Sequence, residues 1–114
     1  MLLHEARMTQ EKIDRYGKIN GDNDIIHYDH DYAVKRGFRG TLLHGPHMTA
    51  FGAELAAKRF GKDWHYRGRL YTRWVGPVCP GDRFEVELAD DGTLSARVGE
   101  QKAMTGSASL RKND

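Results

Sequence analysis

The segment from Gly45 to Gly61 constrains the fold more than any other part of the chain. Gly45-Pro46 opens the longest helical pattern and Gly61 closes it. A proline in the first turn sacrifices no intrahelical hydrogen bond and arrives with a suitable φ. Met48, Phe51 and Leu55 define one face, while Ala50, Gly52, Ala53, Ala56 and Ala57 keep most of the remaining surface small. Glu54, Lys58 and Arg59 escape toward one side or end. A helix this small all round is suited to close packing under a sheet. From Tyr66 onward the period changes to two. Leu70, Thr72 and Trp74 alternate with Tyr71, Arg73 and Val75, Phe84, Val86 and Leu88 alternate with Glu85 and Glu87, Leu94, Ala96 and Val98 follow, and Met104, Gly106, Ala108 and Leu110 finish the chain. Asp90-Asp91-Gly92 and Gly99-Glu100-Gln101 fit hairpin connections. The expected class is α+β, an antiparallel sheet wrapped around a long central helix, with the N-terminal segment a candidate for one more strand.

Ahead of that helix the pattern is shorter and looser. Thr9 can cap a helix running through about Lys18 and ended by Asn20-Gly21, and Asp29 a second one to Arg36 stopped by Gly37. With 114 residues and no internal repeat or low-complexity linker, one domain spanning 1–114 is expected. The balance of 18 basic against 16 acidic side chains, interspersed, gives no block that would announce nucleic acid. Arg67, Arg69 and Arg73, with Tyr66, Tyr71 and Trp74 between them, are read as a solvated strand face, the alternative being a site for a phosphate-bearing ligand. Cys79 is the lone cysteine, so no intrachain disulfide can form, and a reducing, cytoplasmic location is expected. Between Pro77 and Pro80 it reads as a small buried apolar residue, not a nucleophile. No stretch approaches the roughly 20 apolar residues of a membrane span, and no export signal is read.

The chemistry concentrates in Gly21-Asp22-Asn23-Asp24-Ile25-Ile26-His27-Tyr28-Asp29, followed by Leu43-His44-Gly45-Pro46. A carboxylate and an imidazole five residues apart in a glycine-introduced loop can point into one cavity, which ordinary helix spacing would not allow. The plainer alternative has Asp22 capping a turn and His27 as a satisfied core imidazole. A metal is a rival reading of His27, His30, His44 and His47 with Asp22, Asp24, Asp29 and Asp31. The spacing is poor for a dedicated site, and none is expected. His44 is expected to fix the loop that presents Gly45, and His47 to line a pocket or meet a second subunit.

These residues resemble the MaoC-like hydratase and dehydratase family, which includes the (R)-specific enoyl-CoA hydratases. The family pattern reads G-D-x-N-P-[IL]-H-x-D, then an alanine-bearing short helix, an aromatic-containing loop, and H-G opening the central helix of a hot-dog fold. The run from Gly21 to Gly45 fits that layout without insertion, including Asp29, Tyr32-Ala33, Gly37-Phe38 and His44-Gly45. Trp74-Val75-Gly76-Pro77-Val78-Cys79-Pro80-Gly81-Asp82 looks like the family's strand-to-turn segment ending P-G-D. One departure stands inside the motif, where Asp24-Ile25 replaces Asn-Pro. A second carboxylate beside Asp22 would hinder ionisation of both and favour a protonated His27. Alternatively, Asp24 simply caps the next turn.

The resemblance implies that Asp22 and His27 are the catalytic pair and the Gly45 N–H the oxyanion donor. It implies hydration of a trans-2-enoyl thioester to the (R)-3-hydroxyacyl thioester, or the reverse dehydration, with the acyl chain beside the central helix. No cofactor is required, because the thioester, carried on coenzyme A or acyl carrier protein, already activates the electrophile. A homodimer or higher homo-oligomer is implied, and no nucleic-acid or membrane partner. Two alternatives remain: a hot-dog acyl-thioesterase, and a non-catalytic acyl-thioester binding subunit motivated by Asp24-Ile25.

Overall fold

A computed structural model describes residues 1–112. The chain runs β1 (Leu2–Arg7), α1 (Gln10–Asn20), a 3₁₀ turn (Ile25–His27), α2 (His30–Lys35), α3 (Gly45–Phe60), α4 (Lys62–Arg67), β2 (Gly68–Trp74), β3 (Arg83–Leu88), β4 (Thr93–Val98) and β5 (Gln101–Leu110). The strands form one antiparallel sheet in the order β1-β3-β4-β5-β2. The N-terminal segment supplies an edge strand, β1, and the strand that follows the central helices supplies the other edge, β2.

Alternation decides which face of the sheet is dry. Phe84, Val86, Leu88, Leu94, Ala96, Met104 and Ala108 are buried, with Glu85, Glu87, Ser95 and Ser107 between them on the wetter face. The period breaks once. A register shift at Ala96/Arg97 pairs Ala96 with Met104 but Arg97 with Lys102, and both Ala103 and Met104 are buried beside it. Helix α3 lies along the dry face, where Met48, Leu55 and Ala56 join the core. Gly52 lets it come close: a β-carbon there would sit 2.7 Å from the Leu94 side chain.

The helix boundaries follow from the capping residues. Thr9 accepts the Lys12 N–H and Gly21, at φ 82°, ends α1, while Asp29 accepts the Tyr32 N–H to start α2. One expectation is corrected. The segment around Tyr66 and Arg67 is helical, not the start of a strand. Gly61 (φ 63°) closes α3 and the chain coils again, with the Phe60 and Trp64 rings stacked 5.8 Å apart and Arg67 reaching Asp63 at 3.9 Å across one turn. Strand pairing begins at Gly68, where any β-carbon would strike the Trp64 carbonyl. Arg67 therefore leaves the strand face that carries Arg69, Tyr71 and Arg73, and donates to the Arg111 carbonyl.

The P-G-D turn ties the first half to the second. Asp82 receives a two-pronged bond from Arg39 and the N–H of Cys79, while its carbonyl accepts the Met8 N–H. Cys79 is buried, and burial pushes its thiol pKa up, as suits a packing residue.

Candidate active site

The loop between α1 and α2 folds back on itself because its carboxylates satisfy its own amides. Asp22 Oδ1 accepts the Asp24 N–H (2.9 Å) and Asp24 Oδ1 accepts the Ile26 N–H (3.0 Å), starting the 3₁₀ turn that ends at His27. Asp24 is thus the cap of that turn, the second of the two roles open to it. The turn is also clamped from outside. Gln10, the first residue of α1, donates to the His27 carbonyl (2.8 Å) and accepts the Thr41 hydroxyl (2.6 Å).

This arrangement brings Asp22 and His27 together. His27 Nε2 is 3.3 Å from Asp22 Oδ2. The other imidazole nitrogen, Nδ1, lies 2.8 Å from the Leu42 carbonyl, which can only accept, so Nδ1 carries the proton and neutral His27 presents a bare lone pair at Nε2. His44, the N-cap residue of α3, is buried, and its ring stacks on that of His27 with centroids 3.8 Å apart. Its Nε2 is 3.8 Å from Asp22 Oδ2 and 3.2 Å from the Tyr28 hydroxyl. Burial, reinforced by neighbouring His27 and opposed by Asp22, holds the His44 pKa below the ordinary imidazole value.

Gly45 follows at the mouth of α3. Its N–H takes no partner among the described residues, as expected for the first amide of a helix, where the dipole also favours negative charge. Gly45 and His27 line one cavity of about 400 Å³ with apolar walls that include Leu42, Met48, Trp74 and Val75. A second cavity, of about 280 Å³, meets Asp22 together with Asp14, Lys18 and Tyr28. The Asp22–His27 pair is shared between the two.

His47 faces a different cavity, although Tyr16 packs against both its ring and that of His44. The His47 ring is sandwiched between Tyr16 (4.4 Å) and Phe51 (5.2 Å), and it lines that cavity with Lys12, Arg15 and Ile19. Asp22, His27 and His44 each offer one ligand atom within 4.8 Å of the other two, a spacing that a divalent ion could bridge. His44 Nε2 already has a partner in Tyr28, so an ion bound through that nitrogen would displace the Tyr28 contact.

Three residues of the site escape a reading of the sequence. Tyr28 occupies a position that the family pattern leaves open, and Gln10 is an unremarkable polar residue at a helix start. Trp74 lies at the exposed end of β2, yet its indole packs over Gly45 and donates to Thr49 Oγ1 (2.9 Å). Only a bulky aromatic at a strand end, near a helix that begins with glycine, hints at that contact.

A sequence profile of the MaoC-like domain matches residues 2–113. The chain belongs to the MaoC-like domain family. Over 77 residues it is 29% identical to the peroxisomal multifunctional enzyme type 2 of Drosophila melanogaster, a match that covers 67% of this chain and 13% of that enzyme. This MaoC-like domain therefore spans a small part of the curated relative it matches. Among solved structures, the (R)-hydratase of A. caviae involved in PHA biosynthesis superposes with a TM-score of 0.72 at 21% identity, over 97% of this chain and 93% of that one. HtdX of Mycobacterium tuberculosis superposes with a TM-score of 0.78 at 25% identity, over 92% of this chain and 46% of that one. The sheet wrapped on α3 is a hot-dog fold. Among the described residues no helix is long and apolar enough to cross a membrane.

Proposed function

We propose that this MaoC-like domain adds water to a trans-2-enoyl thioester to give the (R)-3-hydroxyacyl thioester, or catalyses the reverse dehydration. The observation that carries the reading is the 3.3 Å separation of Asp22 Oδ2 and His27 Nε2, with His27 and Gly45 lining the same cavity. A carboxylate oxygen accepts, and a neutral His27 with its proton on Nδ1 accepts at Nε2, so either atom of the pair can take a proton from a water in the cavity. A water donating to the pair keeps an oxygen lone pair free to attack C3.

As the C–O bond forms, one proton passes to the Asp22–His27 pair, the C2–C3 π electrons move toward the thioester oxygen, and the Gly45 N–H stabilises the negative charge there. The pair then returns a proton to C2, so the site ends as it began and one water has been added. The thioester supplies the activation, and no cofactor is invoked. The apolar walls formed by Leu42, Met48 and Val75 suit an acyl chain. The carrier is coenzyme A or acyl carrier protein. The relatives' names support this reading, since one is an (R)-hydratase. We further propose a homodimer acting in the cytoplasm. Edge strand β2 leaves Tyr71 exposed, with exposed Val75 just beyond its end, which suits cover by a second copy.

Loss of the conjugated enoyl-thioester absorbance, followed with crotonyl-CoA and longer enoyl-CoAs, tests the reaction. Wild type should turn over, and Asp22→Asn and His27→Ala should each lose roughly 10²-fold or more in kcat/KM. Full activity in both variants would overturn the roles, and release of free thiol from a saturated acyl-CoA would point to thioester hydrolysis instead.

A further inference from the structure

We infer that Tyr28 and His44 are positioning residues that lock the main chain of Asp22, and that His44 does so as a permanently neutral imidazole with its proton on Nε2. The inference rests on the catalytic role proposed for Asp22, but its first test does not.

The argument is a count of donors and acceptors. The Tyr28 hydroxyl lies 2.5 Å from the Asp22 carbonyl oxygen and 3.2 Å from His44 Nε2. A carbonyl only accepts, so the single hydroxyl hydrogen goes to Asp22. The Tyr28 oxygen is then left to accept from His44, which must carry its proton on Nε2. The opposite nitrogen agrees. Among the described residues His44 Nδ1 is buried with no hydrogen-bond partner, and in protein interiors an orphaned N–H is rarer than an under-satisfied acceptor. Burial acts in the same direction by disfavouring the charged ring.

One hydroxyl thereby joins three elements. Gly17 of α1 supplies the room, because a β-carbon there would collide with the Tyr28 hydroxyl, Asp22 belongs to the site loop, and His44 begins α3. The groups facing His44 are Asp22 and His27 from the loop, Tyr28 beyond the 3₁₀ turn, Tyr16 from α1 with its ring 5.1 Å away, and His47 one turn along α3. Two imidazoles stacked at 3.8 Å cannot both be charged cheaply. A His44 locked neutral leaves His27, beside the Asp22 carboxylate, as the ring that takes up the proton during turnover. The position of Tyr28 is open in the family pattern, so this lock is built from the chain's own choice of residue.

Long-range ¹⁵N–¹H correlation spectra of the histidines in the full-length protein test the lock without substrate. Between pH 6 and 8 the wild-type His44 should appear as the neutral Nε2–H form, and in Tyr28→Phe its two nitrogens should move toward a mixture of tautomers. With enoyl-CoA, Tyr28→Phe should lower kcat about tenfold, as misplacement of a reacting group does, with KM within about twofold. It should cost little more when added to Asp22→Asn, as expected for residues acting through one group. An Nδ1–H or protonated His44 in the wild type would overturn the inference, as would a Tyr28→Phe variant with unchanged spectra and kcat. The expected tautomers in a protein that hydrates no enoyl thioester would leave the lock standing and remove only the proposed reaction.

Discussion

Helix α3 has two glycines that do the same steric thing in different surroundings. Gly52, in the middle of the helix, lies against Leu94 of β4, and Gly45, at its start, lies against the indole of Trp74. A β-carbon would come within 2.7 Å of the first and 2.6 Å of the second. Gly52 is buried and its close neighbour, Leu94, belongs to the apolar core. Gly45 borders a cavity, has an N–H without a partner among the described residues, and packs on a tryptophan that is 52% exposed. One close approach completes the core and the other shapes the mouth of the site. Identical geometry in the two places should therefore report on different properties.

The largest effect is expected at the mouth. Gly45→Ala must push the Trp74 ring away or shift the start of α3, disturbing the amide proposed to bind the oxyanion. The kcat for enoyl-CoA should fall about 10²-fold, the scale of losing one oxyanion donor, while the melting temperature changes little because the exposed indole can swing out. Trp74→Ala in the same chain removes the clash, so the double variant should recover much of the loss. A Gly45→Ala enzyme with wild-type kcat would show that the contact with Trp74 does not hold the first amide of α3 in place.

The middle of the helix should answer in the opposite way. Gly52→Ala places a methyl group inside a packed core, for which overpacking costs about 1–3 kcal/mol. Chemical denaturation should show that loss, while kcat per folded molecule stays within about twofold. If Gly52→Ala instead left stability intact and reduced kcat, the division of α3 into a packing half and a chemical half would fail.

How far the sequence alone reaches follows the same division. The core half is legible because burial imposes a period: Phe84, Val86 and Leu88 alternate with charged neighbours, and Met48 and Leu55 recur at helical spacing. Where backbone geometry overrides period, the reading slips. Tyr66 and Arg67 sit next to strand residues but belong to a helical turn that Gly61 and Gly68 delimit. In the site, Asp22, His27 and Gly45 stand out because a motif fixes their spacing, and His44 because it precedes the glycine. Tyr28, Gln10 and Trp74 do not, since each matters through a partner 6 to 31 positions distant in sequence. Spacing along one element carries no information about such contacts. His47 shows the converse. It lies three residues from His44 in sequence, but its ring stacks between Tyr16 and Phe51 and lines a different cavity.

The smallest effect should come from a residue that the motif makes conspicuous. Asp24 stands where the family pattern has asparagine, and a carboxylate two residues from Asp22 invites the idea of coupled titration. Its Oδ1 instead accepts the Ile26 N–H at the head of the 3₁₀ turn, and its side chain is exposed. Only Asp22 of the two reaches the His27 imidazole. An asparagine side chain offers the same carbonyl acceptor, and Asn and Asp cap helices about equally well. Asp24→Asn should therefore change stability by less than about 0.5 kcal/mol, the range of ordinary surface substitutions, and leave the pH–rate profile of hydration unmoved. Asp24→Ala, which removes the acceptor, should cost about 1 kcal/mol by denaturant unfolding. A displaced pH profile in Asp24→Asn, with the cap intact, would bring the second carboxylate back into the chemistry and place this turn on the catalytic side of the division.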